Sequence, residues 1–427
     1  MKKIIYIAVC ASTLLQAQAP NLLSTDKRTF SQSQYIPDIS LIVDTSFASR
    51  NKNQEELSGL FIPGITEGYY GKGEHGHSAG AYSSDNGFNF NYSELIFSAN
   101  VDPSFSLDAV FHFGVDSVEI DEAYFTNTTL ADGLRIRGGK FLSEFGRINN
   151  RHQHFWNFNE APLIYSGFLG AENLNEIGLQ AQYTLPIDTY TMVGMEVLQG
   201  VNEQNFGYEG FTFNADNNAS TVDIKSADAP AMLVAYVKTA FDIGDTTIVP
   251  GLSYIYGESK KLDEHDGKEM AFDGTSAIYH AELTLKHYLD SYSFISWENE
   301  WMRLEKKGDE YHVENGTTEV FNQKITQEGY YSQLVYAHNA NLRFGVRYES
   351  IYKNDFDFSE EVHPSTPYNK YTAMTEYHFS EFSRLRLEYS QNNALYSEGA
   401  SGFESQKVNS LILSLNLSIG AHGAHDF

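Results

Sequence analysis

The sequence predicts an all-β fold, a transmembrane antiparallel β-barrel of about 16 strands, with 14 or 18 as alternatives. Three observations predict it. Apolar and polar residues alternate at period two in segments of about ten residues, the pattern of a strand with one face in lipid and one in water. The connections sort by length, short ones alternating with long ones. The chain also ends on a strand-like run from Val408 closed by an aromatic, Phe427.

The chain begins with Lys2 and Lys3, then an apolar run Ile4-Ile5-Tyr6-Ile7-Ala8-Val9 and small residues around Ala17 and Ala19. This order predicts a secretory signal peptide over 1–17. Cleavage after Ala17 is preferred, because cleavage after Ala19 would leave Pro20 first. The one cysteine, Cys10, falls inside the apolar run, so the exported chain uses no disulfide. Residues 18–36 form a short leader, and 37–427 the barrel, with both termini at the periplasmic end.

The 427 residues carry 29 basic and 56 acidic side chains. Loss of Lys2 and Lys3 with the signal peptide takes the net charge from −27 to about −29, which excludes a nucleic-acid partner and permits attraction of cations. After the signal peptide, no segment approaches the roughly 18 consecutive apolar residues of a membrane helix. The 28 Tyr and 29 Phe suit the aromatic girdles of a barrel.

Taken in order, Ile39, Leu41, Val43 and Phe47 alternate with Ser40, Asp44 and Ser46. Phe105 to Phe113, Ile177 to Leu185, Tyr279 to Leu285, Leu342 to Tyr348 and Tyr371 to Phe379 repeat the pattern. In the strand expected near 88–101 the parity changes at Glu94, which predicts a bulge there. At the end Leu411, Leu413, Leu415, Leu417 and Ile419 share one face, opposite Ile412, Ser414, Asn416 and Ser418. Tight turns are expected near 102–103, 131–133, 186–188, 244–245, 289–290, 339–340 and 381–382. Long outer loops are expected near 49–87, 143–175, 201–229, 260–272, 307–324, 354–368 and 397–404. Seven tight turns give about 16 strands. A sandwich or propeller does not sort its loops this way.

A barrel of that size encloses water, so the polar faces line a lumen. Arg135 and Arg137, Arg343 and Arg347, and Arg384 and Arg386 are expected to line it, with Arg147 from a loop. Asp44, Asp108, Glu119, Asp121 and Glu196 supply acidic patches. The 143–175 connection holds Phe155, Trp156, Phe158, Tyr165 and Phe168. It is too aromatic to stay solvated, and is expected either to fold inward, with Trp156 at a constriction, or to cover the barrel mouth. H-x-H pairs at His75 and His77, with Glu74 beside them, and at His152 and His154 offer ligand sets for zinc or copper. His422 and His425 form a third pair at the periplasmic rim. No G-x-S-x-G, H-E-x-x-H or phosphate-binding glycine loop is present, so no enzyme is predicted.

Several segments carry a resemblance: P-D-I-S-L-I-V-D at 37–44, L-I-F-S-A-N-V-D-P at 95–103, V-E-I-D-E-A-Y at 118–124, G-G-K-F at 138–141, N-x-x-H-x-H-F-W-N-F at 149–158, P-L-I-Y-S-G-F-L-G at 162–170 and the terminal G-A-H-G-A-H-D-F. Together they resemble a porin-like family of Gram-negative outer-membrane barrels, similar to phosphate-selective porins. Its members are also labelled zinc-regulated TonB-dependent receptors. The resemblance implies the cell outer membrane, lipid and the barrel assembly machinery as partners, and Phe427 as an assembly signal. A water-filled lumen predicts passive diffusion of small hydrophilic solutes or ions, with no required cofactor, an optional zinc, and a homotrimer by analogy with porins. A zinc-linked uptake barrel and a non-transporting adhesin or enzyme barrel are the alternative expectations. Energy-coupled uptake fits poorly, since such receptors place a plug on the order of a hundred residues inside about 22 strands, and only 18–36 precede the first strand here.

Overall fold

The computed structural model describes residues 37–420, except 67, 71–80, 203, 216–219, 266–267, 315–316, 357–365 and 400–401. The signal peptide, the leader, Glu74, His75, His77, His422, His425 and Phe427 therefore lie outside the described residues.

Sixteen strands close into one antiparallel barrel. They are β1 (Asp38–Arg50), β2 (Gly87–Asn100), β3 (Phe105–Phe113), β4 (Val118–Asn127), β5 (Leu134–Leu142), β6 (Asn175–Thr184), β7 (Tyr190–Leu198), β10 (Met232–Ile243), β11 (Thr246–His265), β12 (Lys268–Tyr288), β13 (Phe294–Glu314), β14 (Thr317–Ala337), β15 (Leu342–Phe356), β16 (Tyr368–Ser380), β17 (Ser383–Gly399) and β18 (Gly402–Gly420). Neighbours in sequence pair throughout, and β1 meets β18 from Ser40 opposite Gly420 to Arg50 opposite Ser410. A separate hairpin, β8 (Phe211–Ala215) with β9 (Ser220–Ile224), sits in the β7–β10 connection.

The alternation read from the sequence sets the two faces. In β18, Leu411, Leu413, Leu417 and Ile419 are exposed on the outer wall, while Ile412, Ser414 and Asn416 are buried inside. Outward aromatics fall in two belts. Tyr330, Tyr348 and Tyr371 touch in series, with ring centroids 5.9 and 5.0 Å apart, and Tyr336, Tyr377 and Phe379 lie nearer the short turns. Tyr371 and Tyr377 are six residues apart, about 20 Å along a strand, close to the height of an apolar band in a bilayer.

All seven predicted tight turns fall between strands at one end of the barrel. The other end departs from expectation in three places. Residues 260–272, 307–324 and 397–404, expected as long loops, are mostly strand: β11 to β14 run 20 or 21 residues, and β17 pairs with β18 as far as Gly399 opposite Gly402. A membrane strand needs only about 9–11 residues. These hairpins extend past the apolar band because each N–H and C=O finds its partner in the neighbouring ladder, whatever the side chains. The predicted bulge is on β2, three residues before Glu94. Tyr92 faces Asp44 and Phe90 faces Thr45, leaving Asn91 as the extra residue.

Two connections fold inward. In residues 51–86, helix α1 (Gln54–Ser58) starts with a capping box of Asn53 and Glu56. In residues 143–174, helix α2 (Leu163–Phe168) is buried along its whole length. Their apolar side chains, with inward Ile278, Met302, Leu304 and Tyr331, form a hydrophobic core inside the barrel.

Candidate functional site: the loop across the lumen

The 143–174 segment crosses the lumen from wall to wall. It leaves β5 beside Glu196, which accepts the Ser143 hydroxyl at 2.6 Å and the Glu144 amide at 2.9 Å. It reaches β13, where Glu300 accepts the Arg147 amide at 2.9 Å, the Tyr165 hydroxyl at 2.6 Å and a hydrogen bond from Tyr331, and lies 2.7 Å from His280 Nε2. On β15 and β17, Glu349 accepts the Leu163 amide and Glu388 the Asn159 amide, each at 3.0 Å. Arg386 donates to the Trp156 carbonyl at 2.7 Å and to Asn159 Oδ1 at 3.2 Å. Charged groups on the wall thus satisfy backbone and side-chain atoms of a loop that has left water, as burial requires.

The wall leaves room for the loop at two glycines. A Cβ on Gly329 would stand 2.7 Å from Ile164 Cγ2, and one on Gly345 would stand 3.1 Å from Phe158 Cζ.

The inward register holds for every predicted strand residue among the basic set, but the folded loop changes their setting. Arg347 and Arg386 are buried. Arg347 lies 4.7 Å over the Phe158 ring and donates to the Glu160 carbonyl at 2.9 Å. Arg343, Arg384 and Arg386 all face Glu376, at 3.8, 3.5 and 2.6 Å. These residues therefore anchor the loop or pair with Glu376. Arg135 reaches Glu144 at 3.5 Å, and Arg137 lies 4.4 Å over the Tyr124 ring. Arg147 joins the site through its backbone. Asp44 is buried and accepts from Tyr82, Asn91 and Asn416. Asp108 accepts from Ser98 at 2.7 Å.

Glu160 ties both inward connections to the wall. It accepts from Lys370 and Tyr69, and from the Tyr82 amide at 3.3 Å. Burial pushes its carboxyl up, but the Lys370 ammonium outweighs this and holds it below the ordinary glutamate range. Glu144 is likewise held low against burial by Lys238 and Arg135.

A cavity of about 820 Å³ lies against β2 to β5. Glu94, Glu119, Asp121, Lys140, Arg151, His152 and Trp156 line it. A second bulge shapes this wall. Val110 faces Glu122 and Phe111 faces Ile120, leaving Asp121 as the extra residue on β4. Adjacent Asp121 and Glu122 therefore both turn to His152, Asp121 Oδ2 at 3.4 Å from Nδ1 and Glu122 Oε2 at 2.8 Å from Nε2. His154 Nδ1 is 3.1 Å from Glu94 Oε2. Burial alone would lower His152, yet Glu94, Asp121 and Glu122 raise it well above its ordinary value. Burial prevails at His154 and lowers it, with Glu94 opposing.

Sequence reading missed Glu300, Glu349, Glu376 and Lys370. The W-E-N-E-W run at 297–301 does place Glu298 and Glu300 on one face, but only the fold shows what they hold.

A closed 16-stranded antiparallel barrel whose lumen is crossed by an inward loop defines a porin-like barrel of the outer-membrane type. The outer-membrane channel DcaP of Acinetobacter baumannii superposes with a TM-score of 0.53, covering 91% of this chain and 99% of that one at 12% identity. OmpT of Vibrio cholerae superposes with a TM-score of 0.50, covering 93% and 100% at 11% identity. No family model matches the sequence. The chain belongs to the same family as an uncharacterized protein of Aquifex aeolicus (strain VF5), 38% identical over 401 residues that span 93% of this chain and 81% of that protein.

Proposed function

We propose that the protein is an outer-membrane porin that passes small hydrophilic solutes or ions by passive diffusion. Both termini lie in the periplasm, and the route runs beside β2 to β5. One observation carries this reading. The 143–174 loop fills the lumen against β13 to β17 and leaves open the polar 820 Å³ cavity on the opposite wall. The lining favours cations. Glu94, Glu119 and Asp121 face the cavity, with Lys140 and Arg151 as the basic groups on it. Acidic linings concentrate cations and repel anions, which argues against the phosphate-selective label. The role is transport rather than catalysis. Swelling of liposomes loaded with the purified barrel tests it. Small sugars and potassium salts enter at size-dependent rates under the proposal. Liposomes that swell no faster than protein-free ones overturn it.

A further inference from the structure

The geometry points to a binding site for one divalent transition-metal ion at the cavity wall, held by His152, Asp121 and Glu94, with His154 completing the set. One ligand atom from each of His152, Asp121 and Glu94 lies within 4.8 Å of the others. His152 Nδ1 is 3.4 Å from Asp121 Oδ2 and 3.8 Å from Glu94 Oε1, and His154 Nδ1 is 3.1 Å from Glu94 Oε2. Ligands about 2.0–2.1 Å from a tetrahedral ion stand about 3.3 Å from one another. These spacings therefore need only small side-chain shifts to close on an ion.

Three further observations point to a ligand rather than to simple ion pairing. First, Glu94 is buried, and its Oε2 stands 3.1 Å from His154 Nδ1 in a geometry that makes no hydrogen bond, which leaves a carboxylate oxygen able to take an ion. Second, the outer nitrogen of His152 is already used. Nε2 meets Glu122 at 2.8 Å, the carboxylate–imidazole arrangement that fixes the tautomer and turns the other nitrogen toward a metal. Third, Glu94, Asp121 and His152 all border the cavity, so an ion has a way in from the lumen. The β4 bulge at Asp121 makes the arrangement: in regular strand, Asp121 and Glu122 would point to opposite faces.

The charges also balance. Two carboxylates neutralise a divalent ion, while Glu122 serves the imidazole N–H. Mixed imidazole and carboxylate donors suit zinc and its first-row neighbours better than magnesium or calcium, which prefer all-oxygen shells. The site does not depend on the porin reading, because a barrel that binds zinc and never conducts would leave it standing.

The test is zinc titration calorimetry on the chelator-treated barrel in detergent. The background carries His75→Ala, His77→Ala, His422→Ala and His425→Ala, to remove the other histidine pairs. One zinc per chain is expected, with X-ray absorption reporting imidazole nitrogen and carboxylate oxygen around it. His152→Ala and the isosteric Glu94→Gln should each weaken binding tenfold or more, and Glu122→Gln by about tenfold through the lost imidazole partner. A heat-modifiable gel shift establishes that each variant is folded. Zinc affinity unchanged in both His152→Ala and Glu94→Gln overturns the site. So does an all-oxygen shell on the parent, or loss of zinc binding in the four-histidine background alone.

Discussion

Glu300 Oε2 accepts the Tyr165 hydroxyl at 2.6 Å, across the lumen and 135 residues away in sequence. The same carboxylate serves the Arg147 amide, Tyr331 and His280. It is one of the points at which the barrel wall holds the inward loop. Glu300→Ala leaves these buried donors without an acceptor, at about 1–3 kcal/mol for each one not rescued by water. The loop should then loosen while the barrel stays closed, because the β13 ladders do not involve this side chain. The expected readout is protease cleavage within 143–174 in a variant that keeps its heat-modifiable gel shift. A loop as resistant as in the parent would count against this role for Glu300.

Gly329 leaves room for the loop on β14: a Cβ there would stand 2.7 Å from Ile164 Cγ2. Gly329→Leu should cost about 1–3 kcal/mol by overpacking and push α2 off the wall. Single-channel conductance should rise as the lumen opens. A variant with parental conductance and parental protease resistance would show that the loop does not sit against Gly329.

The outer face of β14 tests the membrane reading. Leu334 is exposed and lies between the belts marked by Tyr330 and Tyr336. Leu334→Arg should destabilise folding in lipid by about 2–4 kcal/mol, the cost of a cation near the bilayer midplane. Urea titration in vesicles measures it. Inward Gln333 is the control: it donates to Glu298 at 2.8 Å, so the cation of Gln333→Lys meets a carboxylate there and should not show this cost. Equal effects at the two positions would mean that the faces are misassigned.

Acid should release the loop in a defined window. Glu160 and Glu144 both have carboxyls held below the ordinary range. A lowered folded value stabilises at pH above the ordinary glutamate value, about 4.3, and that contribution is lost as pH falls through the lower folded value. Neutral to mildly acid solution should therefore leave the loop in place, and strong acid should loosen it. Tryptophan fluorescence from Trp156, in a protein with Trp297→Phe and Trp301→Phe, reports the change. A midpoint near neutrality would contradict the assignment.

Charge on the cavity wall should set ion preference. Glu119→Lys reverses one acidic group beside the cavity and leaves the proposed metal ligands in place. The reversal potential in a potassium chloride gradient should move toward anion preference. No movement would place the route elsewhere.

Much of the barrel was legible because lipid and water impose opposite demands on alternate residues. Leu411 and Ile412 had to part company, as did Arg343 and Phe344. All seven tight turns were legible for the same reason, as breaks in alternation. The upper ends of β11 to β14 were not, since outside the bilayer both faces are polar and strand and loop look alike. The site was half legible. Aromatics between Phe155 and Phe168 announced a segment that needs burial, and the H-x-H at His152 announced ligands. What holds the loop was hidden, because Glu300, Glu349, Glu376 and Lys370 read as ordinary lumen polarity. Glu300, Glu349 and Lys370 act on loop residues more than a hundred positions away, and Glu376 acts through Arg386, which only barrel closure brings to the loop.

Single-channel recording in planar bilayers tests the central claim most directly. The purified barrel should insert as discrete steps of stable, cation-preferring conductance without any energy source, and Glu300→Ala should give larger or noisier steps. A folded, inserted barrel that never opens a conducting path would contradict the account.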